Sequence, residues 1–374
     1  MIDGNRIKQN LDDFSFPRLS GTENEKKAFE IAKKKIENLK LKPSVQKFSF
    51  TSFYPRIYQK IVFTLGFWLL FVLYLNFGYL FFFINLTLML LIYIPIYFIT
   101  RNPENIKIGK NRISQNLYVS LEEENKNKNI LFLSHLDSKG QRLPIKFRGI
   151  FFKLWVYSMI CGIIIIIFKN ILFIQYSFWL YIIGIVPIGI NLISTVMIDL
   201  NTTNNKSPGA IDNASGIATV LELLNHYSIP KFRLKNYNLW FIFTGAEETG
   251  TMGIRNFYKI IEHLEREKSI MFNFDTIGRS LDVWTSTEGA IYFKNAENLN
   301  AFIHTKKKFI RTGRSDAYYL KKKNFRGFGF GDQNSYKYIH TINDTVDKVD
   351  PLLLEKLCKR IIEVINRIDN NTNR

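Results

Sequence analysis

The chain has 374 residues, enough for one large domain with additions or two ordinary ones. It combines a 47% hydrophobic fraction and a formal net charge of +19 with a mean hydropathy of only -0.04, so its apolar content must be concentrated in segments. Two cysteines, Cys161 and Cys358, exclude a disulfide framework and a thiolate metal site.

The start, Met1-Ile-Asp-Gly4, is polar and lacks the pattern of a secretory signal. Asp12 to Phe53 reads as a soluble opening. Thr22-Glu-Asn-Glu25 fits a capping box. Ala28, Ile31, Ala32, Ile36 and Leu39 then recur at helical spacing. Ser44 to Thr51 alternates as a half-buried strand does.

From Ile61 to Thr100 no residue is charged, about twice the length that one membrane crossing needs. Asn76-Phe-Gly78 interrupts the run near its middle, where a helical hairpin would turn. Residues 101–149 return to soluble character, with strands expected over Ser114–Leu121 and Asn129–His135. A second apolar block runs from Ile150 to Leu200, broken by Lys153, Lys169 and Asn170 before Asp199. Lys169-Asn170 marks the turn of a second hairpin, whose short first arm would be met by snorkelling of Lys153 and Lys169. The expected division is therefore 1–58, 101–149 and 200–374 as soluble pieces, with hairpins over 59–100 and 150–199. Cys161, inside the second block, reads as a passive hydrophobe. Asn76, Asn85, Thr87 and Asn191 fit turn and helix-packing roles rather than a pore.

Arg56, Lys60, Arg101, Lys107, Lys110, Arg112, Lys146, Arg148 and Lys153 flank the apolar blocks on the soluble side, against Lys169 alone on the other. The positive-inside rule then predicts an integral, multi-pass membrane protein with its soluble part cytoplasmic. Attraction to anionic lipid accounts for the positive charge. Nucleic-acid binding needs a recognition motif or an aromatic-lined basic strip, and the sequence has neither.

Beyond Leu200 strands and helices alternate: helix Ile217–Tyr227, strand Leu239–Thr244, helix Ile254–Glu267, strand Ile270–Asp275 and a closing helix Leu352–Ile368, before the polar tail Asp369 to Arg374. That order implies a mainly parallel sheet between helical layers. Three buried-type strands end in imidazole or acid, at His135-Leu-Asp137, at Gly245-Ala-Glu247-Glu248 and at Asp275. Asp212 lies in a turn opening a helix, and His340 lies in Tyr338-Ile-His340-Thr-Ile-Asn-Asp344. In a parallel sheet these strand ends meet on one rim, where ligands bind. So many carboxylates and imidazoles together call for a divalent metal, and mixed His/carboxylate ligation suits zinc.

His-Leu-Asp, Pro-Gly-Ala-Ile-Asp-Asn-Ala-Ser-Gly, Gly-Ala-Glu-Glu-Thr-Gly, Asn-Phe-Asp and His-Thr-Ile-Asn-Asp-Thr, in that order, resemble the motif set of the M28 family, the co-catalytic zinc aminopeptidases. The resemblance covers the soluble pieces from Pro17 onward, with the apolar blocks as insertions. It implies a three-layer α/β/α fold with a mainly parallel mixed sheet, carrying four transmembrane helices as two inserted hairpins. It implies two Zn2+ ions bridged by Asp212, with His135 and Asp275 on one and Glu248 and His340 on the other. Glu247 would be the general base acting on the metal-bridging water. Asp137 would take the His135 imidazole N–H on its carboxylate and fix the tautomer. The peptide after Asp212 is expected to be cis. The substrate would be the N-terminal residue of a peptide, and the bilayer the other partner.

The sequence departs from the family at two places. The His of the family's Ser-Asp-His is replaced in Ser315-Asp316-Ala317. Ile339 stands where some members have an oxyanion-binding Tyr, with Tyr336 and Tyr338 close by. His226, His263 and His304 read as surface or capping residues, and Asp344 and Asp347 as acids that fix turns. The alternatives are a non-catalytic membrane receptor or scaffold, and a glutaminyl-cyclase-like acyltransferase.

Overall fold

A computed structural model describes residues 2–123, 126–285, 307–309 and 315–371; His304 and residues 372–374 of the polar tail lie outside them. The chain forms two compact units, one of Met1–Phe50, Arg112–Gly140 and Asn204–Arg374, the other of Thr51–Asn111 and Gln141–Thr203.

The first unit is built on an eight-stranded sheet. Its strands are β1 (Ser44–Thr51), β2 (Asn111–Leu121), β3 (Lys128–His135), β4 (Tyr237–Thr244), β5 (Ser269–Phe274), β6 (Asp282–Thr285), β7 (Lys307–Phe309) and β8 (Arg326–Gly331). They lie in the order β1-β2-β4-β3-β5-β8-β6-β7. The centre, β4-β3-β5-β8, is parallel, while β2 runs antiparallel to β4 and β6 antiparallel to β8. The sheet is thus mixed and mainly parallel, and lies between two helical layers.

The central strands are buried on both faces, which is why β3 and β4 read as unbroken apolar runs. Alternation then sorts their side chains. Leu131, Leu133, Trp240, Ile242 and Met271 pack with Ile254, Phe257 and Ile261 of α8 (Met252–Ile261) and with Ala317 and Leu320 of α9 (Asp316–Lys322). On the other face Phe132 stacks between Phe241 and Tyr227 of α7 (Ser215–Tyr227) and tilts against Phe272. The closing helix α10 (Pro351–Asn371) and α1 (Gly4–Phe14) pack with α7 on that side.

Three differences from the sequence reading stand out. Helix α1 has no counterpart there; Asp3 caps it by accepting from Asn5 N, and Ile7, Leu11 and Phe14 bury its apolar stripe. Helix α8 ends at Ile261 rather than Glu267, and the chain turns so that Leu264 reaches the apolar cluster. His226 is not a surface residue: it is buried, stacked 4.4 Å from the Phe232 ring, with no hydrogen-bond partner at Nδ1. His263 is exposed, in a turn just past α8. Helix α2 (Glu23–Asn38) has the expected Thr22 cap.

The second unit holds four helices long and apolar enough to cross a membrane, Phe53–Leu75, Tyr79–Ile99, Ile145–Leu172 and Ile174–Asp199. The first pair turns at Asn76, which is left-handed with φ 53°, and at Gly78, with φ 99°. Among the α-helical parts, α3 (Gln59–Leu75), α5 (Ile145–Ile167) and α6 (Ser177–Asp199) pack together, and α4 (Tyr79–Ile99) lies against α3. Close approach uses small residues, as helix contacts in lipid do: Gly66 faces Trp155, Gly162 faces Leu70 and Gly184 faces Tyr74. Asn191 donates to Trp155 O (2.8 Å) and Ser158 Oγ (2.9 Å), and Asn85 accepts from Trp68 Nε1 (3.0 Å). The outward faces remain apolar, for example at Leu80, Phe83, Leu91, Tyr157, Phe178 and Ile193.

The second hairpin corrects two expectations. Its first arm is not short, because the helix begins at Ile145, before the uncharged run does. Lys169 does not snorkel. It is 6% exposed, donates to Tyr74 O (2.6 Å), and lies 5.1 Å from the ring centroids of both Tyr74 and Tyr181. The buried ammonium is satisfied by a carbonyl and two ring faces, so it has no need of the interface.

His226 gives a prediction for this fold. Burial pulls its pKa down from 6.5 to about 4. A depressed folded pKa contributes stability that is present above the unfolded value and is lost as pH falls through the folded one. Between pH 6.5 and about 4 the wild type should therefore lose Tm faster than H226F, whose ring keeps the stacking without the titration. Parallel Tm curves for the two proteins over that window would exclude the effect.

Candidate metal centre

Strand register brings the chemistry-bearing ends level. His135 pairs with Thr244 of β4, and Leu133 pairs with Asn273 of β5. Glu247 and Glu248 follow β4 on a short 3-10 turn, and Asp275 follows β5 by one residue. Asp212 reaches the same rim from the turn Ala210–Ala214, which opens α7. Gly209 enters that turn with φ 66°, and the Asp212-Asn213 peptide is cis, as the resemblance implies. Asn213 fastens the turn to two strand ends, donating to Phe274 O (2.9 Å) and Ser134 Oγ (3.2 Å). His340 arrives with φ 62°. Its loop is tied to the Asp212 turn by Asp344, whose Oδ1 accepts from Ile211 N at 2.6 Å and whose carbonyl accepts from Ala210 N at 3.1 Å. Asp347 is exposed and accepts from Thr345 Oγ1 (2.5 Å).

These residues form two groups that share Asp212. His135, Asp212 and Asp275 make one, and Asp212, Glu248 and His340 the other, each with its donor atoms within 4.8 Å of one another. His135 Nε2 is 3.1 Å from Asp212 Oδ1 and 3.5 Å from Asp275 Oδ1. His340 Nε2 is 3.2 Å from Asp212 Oδ2 and 2.8 Å from Glu248 Oε1. Asp212 thus offers one oxygen to each group. Neighbouring donors of a tetrahedral zinc site, at bonds near 2.0–2.1 Å, stand about 3.3 Å apart.

The donor chemistry also fits a cation. His135 Nδ1 lies 3.0 Å from the Asp137 carbonyl, which places the N–H there and turns the Nε2 lone pair toward two carboxylates. Lone pairs facing lone pairs in a buried site suit a cation held between them. Glu248 Oε1, buried and aimed at His340, has no hydrogen-bond partner, nor has His340 Nδ1.

Asp137 differs from the expectation. Its carboxylate oxygen is 3.5 Å from His135 Nδ1, farther than its carbonyl. The carboxylate instead accepts from Glu247 N (3.0 Å), Glu248 N (3.1 Å) and Ser20 Oγ (2.6 Å). It acts on the other strand end, holding the turn that carries the two glutamates. Glu247 is 6% exposed. Burial pushes its carboxyl well above the usual range; His135 opposes this, and the charges of Glu248, Asp275 and Asp316 add to it. Such a group holds a proton readily.

Four residues around the site escape the sequence reading. Arg18, fully buried, donates to the carbonyls of Phe14, Phe16, Leu136, Pro208 and Gly209, tying the loops on either side of the centre. Lys139 Nζ lies 2.6 Å from Glu248 Oε2, the oxygen facing away from His340. Asn213 carries no signal of its own beyond following Asp212. Glu25 reads in the sequence only as a helix cap. Asp316 is buried and accepts from Thr244 Oγ1 (2.5 Å), with burial and nearby acids raising its pKa to about 7. Ala317, where the family has His, packs into the apolar cluster. Ile339 is buried, and the Tyr336 hydroxyl has its pKa raised by burial and by the charges of Asp275 and Asp212.

The comparisons with known proteins agree with this architecture. The family model for peptidase family M28 matches residues 194–365. Among solved structures the chain is similar to an aminopeptidase from Aneurinibacillus sp. strain AM-1, at 15% identity and a TM-score of 0.59, over 97% of this chain and 93% of that one. It is similar to BSAP, a zinc aminopeptidase from Bacillus subtilis, at 14% identity and a TM-score of 0.55, over 98% and 96% of the two chains. It is also similar to a glutaminyl cyclase from Fimbriiglobus ruber, at 14% identity and a TM-score of 0.55, over 98% and 95%. No curated protein matches the sequence. The molecule therefore has a zinc-exopeptidase-type α/β fold. The model that matches residues 194–365 is that of the family the motif order resembles; His135 and Asp137 lie upstream of that stretch.

The shared carboxylate makes a direct prediction. If each group holds a zinc ion, elemental analysis of purified protein should show D212A losing both, whereas H340A keeps the one at His135 and Asp275. A D212A protein with wild-type zinc content would contradict the arrangement.

Proposed function

We propose that the chain is a membrane-anchored dinuclear zinc exopeptidase, an aminopeptidase that removes N-terminal residues from peptides. The observation that carries this reading is the pair of donor groups meeting at Asp212. His135, Asp212 and Asp275 would hold one ion, and Asp212, Glu248 and His340 the other. When bound, the ions would lower the pKa of a water and polarise the scissile carbonyl.

The chain's own residues would then do the proton work. Glu247, buried beside the donor groups, takes a proton from the attacking water onto its carboxylate and passes it to the leaving amine nitrogen. Its raised proton affinity suits the second step. Asp137 keeps Glu247 and Glu248 in register by accepting from both backbone N–H groups. Asn213 and Asp344 keep the shared carboxylate in place through the turn around it.

The four apolar helices would anchor the protein in a bilayer. The excess of Lys and Arg beside them supports a cytoplasmic soluble unit. Protease accessibility of Lys321 to Lys323 in sealed vesicles of known sidedness tests that orientation.

The likeness to a glutaminyl cyclase favours one second reading, an acyltransferase acting on N-terminal glutamine. Product analysis separates the two, with a free amino acid and a shortened peptide in one case, a pyroglutamyl peptide and ammonia in the other. For the peptidase reading, E247Q should lower kcat by about 10²–10⁴-fold while zinc content and Tm stay near wild type. An E247Q enzyme that releases N-terminal residues at the wild-type rate would overturn the mechanism.

A further inference from the structure

The turn that carries Glu247 and Glu248 is held by four successive backbone N–H groups, each donating to a side chain. Gly245 N donates to Asn116 Oδ1 (3.1 Å) and Ala246 N to Glu25 Oε1 (2.9 Å), while Glu247 N and Glu248 N go to the Asp137 carboxylate (3.0 and 3.1 Å). Ala246 is left-handed, with φ 49°, a conformation unfavourable to a residue with a Cβ. External anchors must therefore fix the direction in which the next side chain leaves.

Glu25 is the unexpected anchor. A capping-box glutamate returns its carboxylate to the N–H of its own N-cap residue. Here Thr22 Oγ1 does accept from Glu25 N, but Thr22 N donates to the Leu19 carbonyl instead. The Glu25 carboxylate, 4% exposed, accepts from Gly21 N (2.6 Å) on one oxygen. Its other oxygen accepts from Ser114 Oγ (2.7 Å) and crosses 221 positions of sequence to Ala246 N. A Cβ on Gly245 would come within 2.3 Å of Ser114 Oγ and 3.1 Å of that same Glu25 oxygen, so the turn is pressed directly onto the pair. A helix cap alone does not require a buried acid bonded to the residue before a proposed general base.

We infer that Glu25 is a positioning residue for the hydrolytic site: its carboxylate fixes the Gly245–Ala246 turn and so aims the Glu247 side chain. This rests on the peptidase reading for its consequence in catalysis, but its structural part can be measured without it.

Three variants separate the roles. T22A removes the helix cap and leaves the turn anchored. E25A removes the carboxylate anchor and leaves the Thr22 cap, whose donor is the Glu25 backbone N–H, and E25Q keeps one oxygen able to accept from Ala246 N and Ser114 Oγ. In hydrogen–deuterium exchange on the full-length protein, E25A should speed exchange in peptides spanning 244–251, whereas T22A should affect only peptides of α2. In steady-state assays of N-terminal residue release, E25A should lower kcat at least about tenfold with KM within about twofold, because small misplacement of a catalytic group is costly. E25Q should recover most of that loss, and T22A should match wild type. If E25A and T22A gave the same exchange pattern and the same kcat, the inference would be overturned. A wild-type protein that releases no residue would instead overturn the peptidase reading, leaving the exchange result as the test of the anchor. If E25A does not fold, exchange at 244–251 in E25M, which fills the same space without an acceptor for Ala246 N, decides: protection equal to wild type overturns the anchor.

Discussion

Everything at the candidate site depends on the parallel pairing of three adjacent strands. β3 lies between β4 and β5, and the ladder sets His135 opposite Thr244 while Leu133 faces Asn273. Parallel strands in register deliver their C-terminal ends to one edge of the sheet. A one-residue slip would turn His135 to the opposite face and exchange the two apolar sets that sandwich the sheet. Burial of Phe132, Leu133, Phe241, Ile242 and Phe272 therefore specifies more than stability. It sets where an imidazole and several carboxylates meet.

That convergence would be costly without further organisation, because buried like charges repel and lose hydration. The molecule answers with fixed donors. Asp137 takes two backbone N–H groups of the glutamate turn, and Asp344 takes one from the Asp212 turn. Arg18 supplies a buried cation whose guanidinium donates to backbone carbonyls on either side of the centre. The remaining lone pairs, on His135 Nε2, Glu248 Oε1 and the two Asp212 oxygens, face one another. This is the arrangement that a divalent cation completes.

The second unit follows a different rule. Its outward side chains are apolar, while between helices Asn191 and Lys169 donate and Thr195 accepts. Lys169 shows how far a tertiary partner can override a composition argument. A lysine at the end of an apolar run is expected to reach for water, yet stacked tyrosines and a free helix-end carbonyl hold it inside. His226 makes the same point in the other unit, where an aromatic neighbour buries a ring that sequence position assigns to the surface.

Much of the fold was legible in the chain because it is written in local terms. Unbroken apolar runs mark strands buried on both faces, and forty uncharged residues between Lys60 and Arg101 mark a helical hairpin long and apolar enough to cross a membrane. The acids and imidazoles at predicted strand ends were visible for the same reason. What the chain did not disclose is how distant groups pair. Glu25 in the first helical turn bonds a residue 221 positions away, Arg18 binds loops from separate segments, and the Asp137 carboxylate serves the glutamate turn more closely than the imidazole. Such contacts carry no periodicity and no spacing, since they exist only once the sheet has brought remote turns together. The sequence by itself determined which residues could carry the chemistry; tertiary structure alone decided which backbone hydrogen bonds hold them in place.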